Sequence, residues 1–235
     1  MKKLENYASF KYSRLVMTDG RIILLDEKMS PEIKNEIQGL ETLDGQELIF
    51  LDDMKLALDM EIILSEIIDQ EQDILIVFPG NGSCYPRNLS AICSNATNVK
   101  VYASRFWQPG TDPVVTVGDI LPDTFIITEV KTVVIVDDVI SSGQTMQKIC
   151  AKNSWKFPQA KWIGVSWVSQ IPQQRAKSGI KGYEYIGTAC VIGKNNGGRV
   201  PINSISTLRQ QMSIAESYAK RQFKEPELFL DLISR

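Results

Sequence analysis

Residues Val133 to Met146 read Val-Val-Ile-Val-Asp-Asp-Val-Ile-Ser-Ser-Gly-Gln-Thr-Met, and the fold is decided by this stretch. Its opening run of β-branched residues predicts a strand buried on both faces. Two adjacent carboxylates, Asp137 and Asp138, stand at the C-terminal end of that run, and the small residues Ser141, Ser142 and Gly143 open a helix. Ligands of open α/β sheets bind beyond the strand C-termini. A helix N-terminus offers unpaired N–H groups and a positive dipole end to a phosphate. The small residues let backbone approach a ligand closely, Ser142 and Thr145 add hydroxyl donors, and the two acids suit a cis-diol. Together these features describe a site for a sugar carrying one phosphate.

Outward from this motif the same grammar repeats. Short continuous apolar runs at Ile74 to Phe78, Val99 to Ala103, Thr132 to Val136, Trp162 to Val168 and Tyr185 to Ile192 predict buried parallel strands. Helices are expected between them at Pro86 to Ser94 and Gly143 to Ser154. With right-handed crossovers this order gives an α/β fold, a doubly wound parallel sheet. Before it, Leu56, Met60, Ile63 and Ile67 form a helical stripe over Asp53 to Gln70, starting at an aspartate suited to N-capping. The first fifty residues read as two hairpins, Tyr12 to Met17 with Arg21 to Leu25 around Asp19-Gly20, and Asp44-Gly45 before the strand Glu47 to Leu51. A last helix is expected from Ser204 to Gln222. The chain thus divides into an N-terminal β-hairpin extension (1–53), an α/β core (54–192) and a C-terminal loop and helix packed on that core (193–235).

Composition narrows the chemistry. With 235 residues, 43% of them hydrophobic, the chain can bury one large core. It contains no histidine, which excludes Ser-His-Asp hydrolases, Cys-His proteases and His-ligated zinc hydrolases. A net charge of −2 and a pI near 5.4 give no basic field, so no nucleic acid partner is expected. No apolar run approaches the roughly 18 residues of a membrane span, and Met1 to Phe10 carries Glu5 without an apolar stretch after it. A cytoplasmic protein with no membrane contact is expected, its four cysteines (Cys84, Cys93, Cys150, Cys190) reduced and without C-x-x-C spacing.

The Val133 to Met146 run resembles the signature of the type I phosphoribosyltransferases, which bind 5-phosphoribosyl 1-pyrophosphate (PRPP). The resemblance implies that Asp137 and Asp138 bind the ribose hydroxyls, and that Val139, Ile140, Ser141, Ser142, Gly143, Gln144 and Thr145 wrap the 5-phosphate. It also implies Mg²⁺, carried with PRPP and reachable by Asp137 and Asp138. Two weaker segments fit the same family. Gly80, Asn81, Gly82, Ser83 and Cys84 follow the first parallel strand, where the family holds pyrophosphate on loop amides, although Gly-Asn-Gly-Ser alone is also an ordinary turn. Ala103 to Val115 follows the second strand, where the family carries a hood that closes over PRPP, and Arg105 would there act as a catalytic contact to the pyrophosphate. Trp107 in that stretch reads equally as a packed surface aromatic. Acceptor-reading groups are expected at Ser169, Gln170, Tyr183 and Tyr185, and a homodimer is expected.

The chain also departs from the pattern of the family it resembles. Hypoxanthine-guanine members carry a carboxylate where Ser141 stands and a lysine near the position of Ser169-Gln170, and orotate enzymes carry a lysine in the hood. Transfer of the 5-phosphoribosyl group to a nitrogenous acceptor is the leading expectation, with a non-catalytic PRPP sensor as the alternative. Neither a Walker A loop nor a response-regulator lysine accompanies the acid pair.

Overall fold

The structure, a computed structural model, describes residues 11–18, 22–25, 29–45, 48–80, 82–106, 114–121, 126–140, 143–169, 183–193 and 202–235. The chain forms two compact units, Met1–Leu15 with Leu56–Cys190 and Val16–Lys55 with Val191–Arg235. In chain order the strands are β1 (Lys11–Thr18), β2 (Ile22–Leu25), β3 (Leu48–Leu51), β4 (Ile74–Pro79), β5 (Asn98–Val101), β6 (Ala103–Phe106), β7 (Val114–Val117), β8 (Thr132–Ile140), β9 (Lys161–Ser169), β10 (Tyr183–Gly193) and β11 (Ile202–Ser204). The helices are α1 (Pro31–Gln38), α2 (Asp53–Gln70), α3 (Cys84–Leu89), α4 (Ala91–Asn95), α5 (Gln144–Asn153), α6 (Ile205–Gln210), α7 (Met212–Gln222) and α8 (Pro226–Ser234).

The predicted parallel sheet is present, six strands in the order β1-β10-β9-β8-β4-β5, with every pair from β10 to β5 parallel. Val133, Val134, Ile135 and Val136 are buried because both sheet faces are covered. Leu75, Val77, Val133 and Ile135 point to the face that also holds Met146 and Ile149 of α5, an alternation set by the two-residue period of a strand. The strand carrying the motif is longer than the Thr132 to Val136 expected. β9 runs beside it through Val139↔Val168 and Ile140↔Ser169, whereas pairing with β4 ends at Ile135↔Val77. Asp137 and Asp138 therefore lie inside β8, at the point where it keeps a ladder partner on one side only.

Helix α2 spans the residues expected and buries Leu56, Met60, Leu64 and Ile67, but its cap is Asp52, whose Oδ1 accepts the Lys55 N–H at 3.0 Å. The predicted helix over Pro86 to Ser94 is two short helices. Ser90, extended at φ −96° and ψ 118°, breaks the first and caps the second through the Cys93 N–H at 2.9 Å.

In the second unit β11, β2 and β3 form a parallel three-stranded sheet, and among the described residues the strands of the first fifty positions do not pair as the two hairpins expected. β1 and β2 arise where predicted but enter different sheets. β2 and β3 are joined through α1, a crossover that makes them parallel. α1 is capped by Ser30, whose Oγ accepts the Ile33 N–H at 3.3 Å, and carries Pro31 in its first turn. The single C-terminal helix expected is α6 and α7, parted at Gln211, followed by α8, which starts at Pro226. Tyr218, Phe223 and Phe229 fill the core of this unit, with the rings of Phe223 and Phe229 stacked 4.4 Å apart.

Candidate active site

The acids come first. Asp137 sits opposite Ser166 of β9, and its Oδ1 accepts the Asp138 N–H at 3.0 Å. Asp138 Oδ1 accepts the Val139 N–H at 2.7 Å. Both side chains are half-buried, and these bonds orient them at the edge that β8 presents beyond the end of its β4 pairing. Gly143 N-caps α5 with φ 74° and ψ 0°, a left-handed conformation that glycine takes without a Cβ clash, and its carbonyl accepts the Gln147 N–H at 3.0 Å. Gln144 and Thr145 then form the first turn of α5, half-buried. Val139 is half-buried and Ile140 buried. Ser141 and Ser142 lie outside the described residues.

The loop after β4 is brought against this pair. Gly80 has φ 64°, donates its N–H to the Val101 carbonyl at 2.8 Å, and packs so closely that a Cβ would meet Ala103 O at 3.0 Å. Buried Ser83 donates to the Gly80 carbonyl at 3.4 Å, and Cys84 Sγ lies 3.9 Å from the same oxygen. A Cβ on Gly82 would lie 2.7 Å from Asp138 Oδ1 and 2.9 Å from Oδ2. The loop backbone thus touches the second acid of the motif. Asn81 lies outside the described residues.

The segment read as a hood begins as an antiparallel pair, β6 with β7, in which Arg105 stands opposite Val115. Residues 107–113, with Trp107, and the Arg105 side chain lie outside the described set. Of the acceptor candidates, Ser169 ends β9 beside Ile140, the last residue of β8, and Gln170 is outside the description. Tyr183 and Tyr185 are not brought to the site. β10 runs parallel to β9, so its first residues pair with Trp162 and Gly164, seven and five positions before Ser169. At about 3.3 Å per residue that is roughly 23 and 17 Å back along the strands.

Sequence reading missed the residues that hold the β6–β7 pair to α5. Lys148 Nζ donates to Val115 O at 2.8 Å, and Lys152 Nζ to Val117 O at 3.1 Å. Asn153 Oδ1 accepts the Ile120 N–H at 2.9 Å. Asp119 forms ion pairs of 3.0 Å with Lys152 and Lys156. Hydrogen bonds from both lysines hold its carboxyl below the usual aspartate range. The visible signal was the four-residue spacing of Lys148, Lys152 and Lys156.

Residues 49–151 match the family described as phosphoribosyl transferase domain. Over this stretch, somewhat less than half of its length, the chain is similar to the phosphoribosyl transferase domain family. No curated protein matches the sequence. Among solved structures, it is similar to a purine phosphoribosyltransferase from Pyrococcus horikoshii Ot3 at 20% identity, covering 61% of this chain and 91% of that one, with a TM-score of 0.41. It is also similar to a hypothetical protein from Neisseria gonorrhoeae with bound ppGpp (16% identity, 70% and 86% covered, TM-score 0.46). A third is the xanthine-guanine-hypoxanthine phosphoribosyltransferase of Helicobacter pylori (15%, 68% and 93%, TM-score 0.44). Among the described residues no helix is long and apolar enough to cross a membrane.

Proposed function

We propose that the chain transfers the 5-phosphoribosyl group of PRPP to a nitrogenous acceptor and releases pyrophosphate. The observation that supports this most is the contact of Gly82 with the Asp138 carboxylate, in a site whose helix opens at left-handed Gly143. A loop with amides for pyrophosphate, a diol-binding acid pair and a phosphate cradle then converge on one ligand with phosphates at both ends of a ribose. Asp137 and Asp138 orient the ribose hydroxyls, the N–H groups from Gly143 to Thr145 hold the 5-phosphate, and the Gly80 to Cys84 loop with Arg105 stabilises the leaving pyrophosphate. The bond from C1 to pyrophosphate breaks as the acceptor nitrogen attacks from the opposite face, which inverts C1.

Two adjacent carboxylates suit Mg²⁺, which takes one or two carboxylates together with substrate phosphates. Asp137 and Asp138 would hold it through their oxygens, and the ion when bound neutralises pyrophosphate charge. Ser169 and Gln170 are the proposed acceptor-reading groups, as neutral donors and acceptors at the end of β9 nearest the phosphate loop. The buried thiols of Cys93 and Cys150 suit a reducing, cytoplasmic setting.

The sensor alternative draws on Ser141 and Ser169, which stand where purine enzymes of this family carry a carboxylate and a lysine. Pyrophosphate release with PRPP, Mg²⁺ and a panel of bases and small amines decides between the two. Release with one acceptor supports transfer, PRPP binding without release supports a sensor, and no PRPP binding contradicts both.

A further inference from the structure

Helix α5 does more than open the phosphate cradle. Lys148, Lys152 and Lys156 follow one another at four-residue intervals, the last in the turn after the helix. Their partners, Val115, Val117, Asp119 and Leu121, follow one another at two-residue intervals along β7 and its continuation. The two spacings match, because four helical residues rise about 6 Å and two extended residues about 6.8 Å. Each ammonium, a donor with no acceptor function, meets a carbonyl of this segment: Lys148 that of Val115, Lys152 that of Val117, and Lys156 that of Leu121. Lys152 and Lys156 also share the Asp119 carboxylate. Exposed lysine pairs usually contribute little, but this row is anchored inside the protein, since Lys156 and Asn153 are both 0% exposed. Asn153 locks the register by accepting from Ile120 N–H while donating to Ile149 O of its own helix at 2.9 Å.

We propose that Lys148, Lys152 and Lys156 are positioning residues that hold the β6–β7 pair in register with the phosphate cradle at the start of the same helix. Lys148 is the link closest to the chemistry. It grips the carbonyl of Val115, the residue opposite Arg105. The row therefore sets the distance between the end of the site that takes the 5-phosphate and β6, whose Ala103 packs against Gly80 of the proposed pyrophosphate loop. This inference rests on the PRPP reading above and names residues that touch neither substrate.

The test compares PRPP with ribose 5-phosphate, which lacks the pyrophosphate, by calorimetry in Mg²⁺ on the parent, Lys148→Met/Lys152→Met and Lys148→Arg/Lys152→Arg. Substitutions that loosen two coupled parts of a site should weaken PRPP binding roughly five- to tenfold in the methionine variant and change ribose 5-phosphate binding by less than about twofold. The arginine variant should recover most of the loss, because its guanidinium still donates to carbonyl and carboxylate. Equal losses for both ligands, or none for either, overturn the proposal. On the parent alone, PRPP should slow amide hydrogen exchange across residues 114–121 more than ribose 5-phosphate does, and equal exchange with the two ligands overturns it as well. PRPP binding by the parent is measured first. Its absence contradicts the functional reading itself, whereas parental binding with unaltered variants contradicts the lysine row alone.

Discussion

Gly82 lies against the carboxylate of Asp138, so closely that a Cβ on the glycine would stand 2.7 Å from Oδ1. That oxygen is already engaged by the Val139 N–H at 2.7 Å, and the carboxylate cannot retreat without loosening this bond. Gly82→Ala should therefore leave the fold in place and misdirect the acid. PRPP binding should weaken roughly 10- to 100-fold, the range for losing a hydrogen bond to a charged group, about 1.5–3 kcal/mol. Calorimetry alongside a thermal melt checks this, and parental PRPP affinity in the variant would separate the loop from the acid pair.

Gly143→Val acts at the opposite end of the ligand. At φ 74° a β-branched residue is strained by about 1–3 kcal/mol, and the helix start must shift to relieve it. Ribose 5-phosphate, which needs only the cradle and the diol site, should lose its binding. A folded variant that still binds ribose 5-phosphate like the parent would show that the phosphate lies elsewhere.

Asp119 gives a pH signature. Its carboxyl is held below the ordinary value of 3.8 by hydrogen bonds from Lys152 and then Lys156. A group with a lowered folded pKa contributes stability that is complete above the unfolded pKa and is lost as pH falls through the folded one. The melting temperature should thus drop as pH falls below about 4, and Asp119→Asn should be less stable at pH 7 with a flatter acid limb. The carboxylate is partly exposed, so the difference should be modest and should shrink at high salt. An acid limb identical to the parent's would remove Asp119 from the account.

Thiol chemistry separates core from site. Burial pushes the thiols of Cys93 and Cys150 up to about 11, which leaves them protonated at neutral pH. Native protein treated with iodoacetamide at pH 8 should show both unmodified on peptide mapping. Cys84, half-buried at the start of α3, should react first, and PRPP should protect it. Modification of Cys150 ahead of Cys84 would contradict the packing of α5.

The parallel sheet was legible because strands buried on both faces appear as continuous apolar runs, and the turn into α5 was legible because Gly143 and its neighbours form one contiguous motif. What escaped reading was long-range. No local pattern announces that Gly82 will touch Asp138, 56 positions later, or that lysines of α5 will hold the carbonyls of β7. The Asp19-Gly20 and Asp44-Gly45 pairs favour hairpins locally, but α1 sends β3 parallel to β2, and tertiary pairing overrides the turn signal. Tyr183 and Tyr185 were misread for a related reason: nearness to a strand in sequence says nothing of which end of the sheet a residue occupies, and β10 begins at the far end.

Ribose binding by Asp137 and Asp138 is the step on which the proposed PRPP site depends. Calorimetric titration of PRPP with Mg²⁺ into the parent and into Asp137→Asn/Asp138→Asn tests it most directly, with the parallel sheet monitored by circular dichroism. Saturable binding by the parent and none by the folded double variant is the expected result. A parent that does not bind PRPP, or a folded double variant that binds it with the parent's affinity, would contradict it.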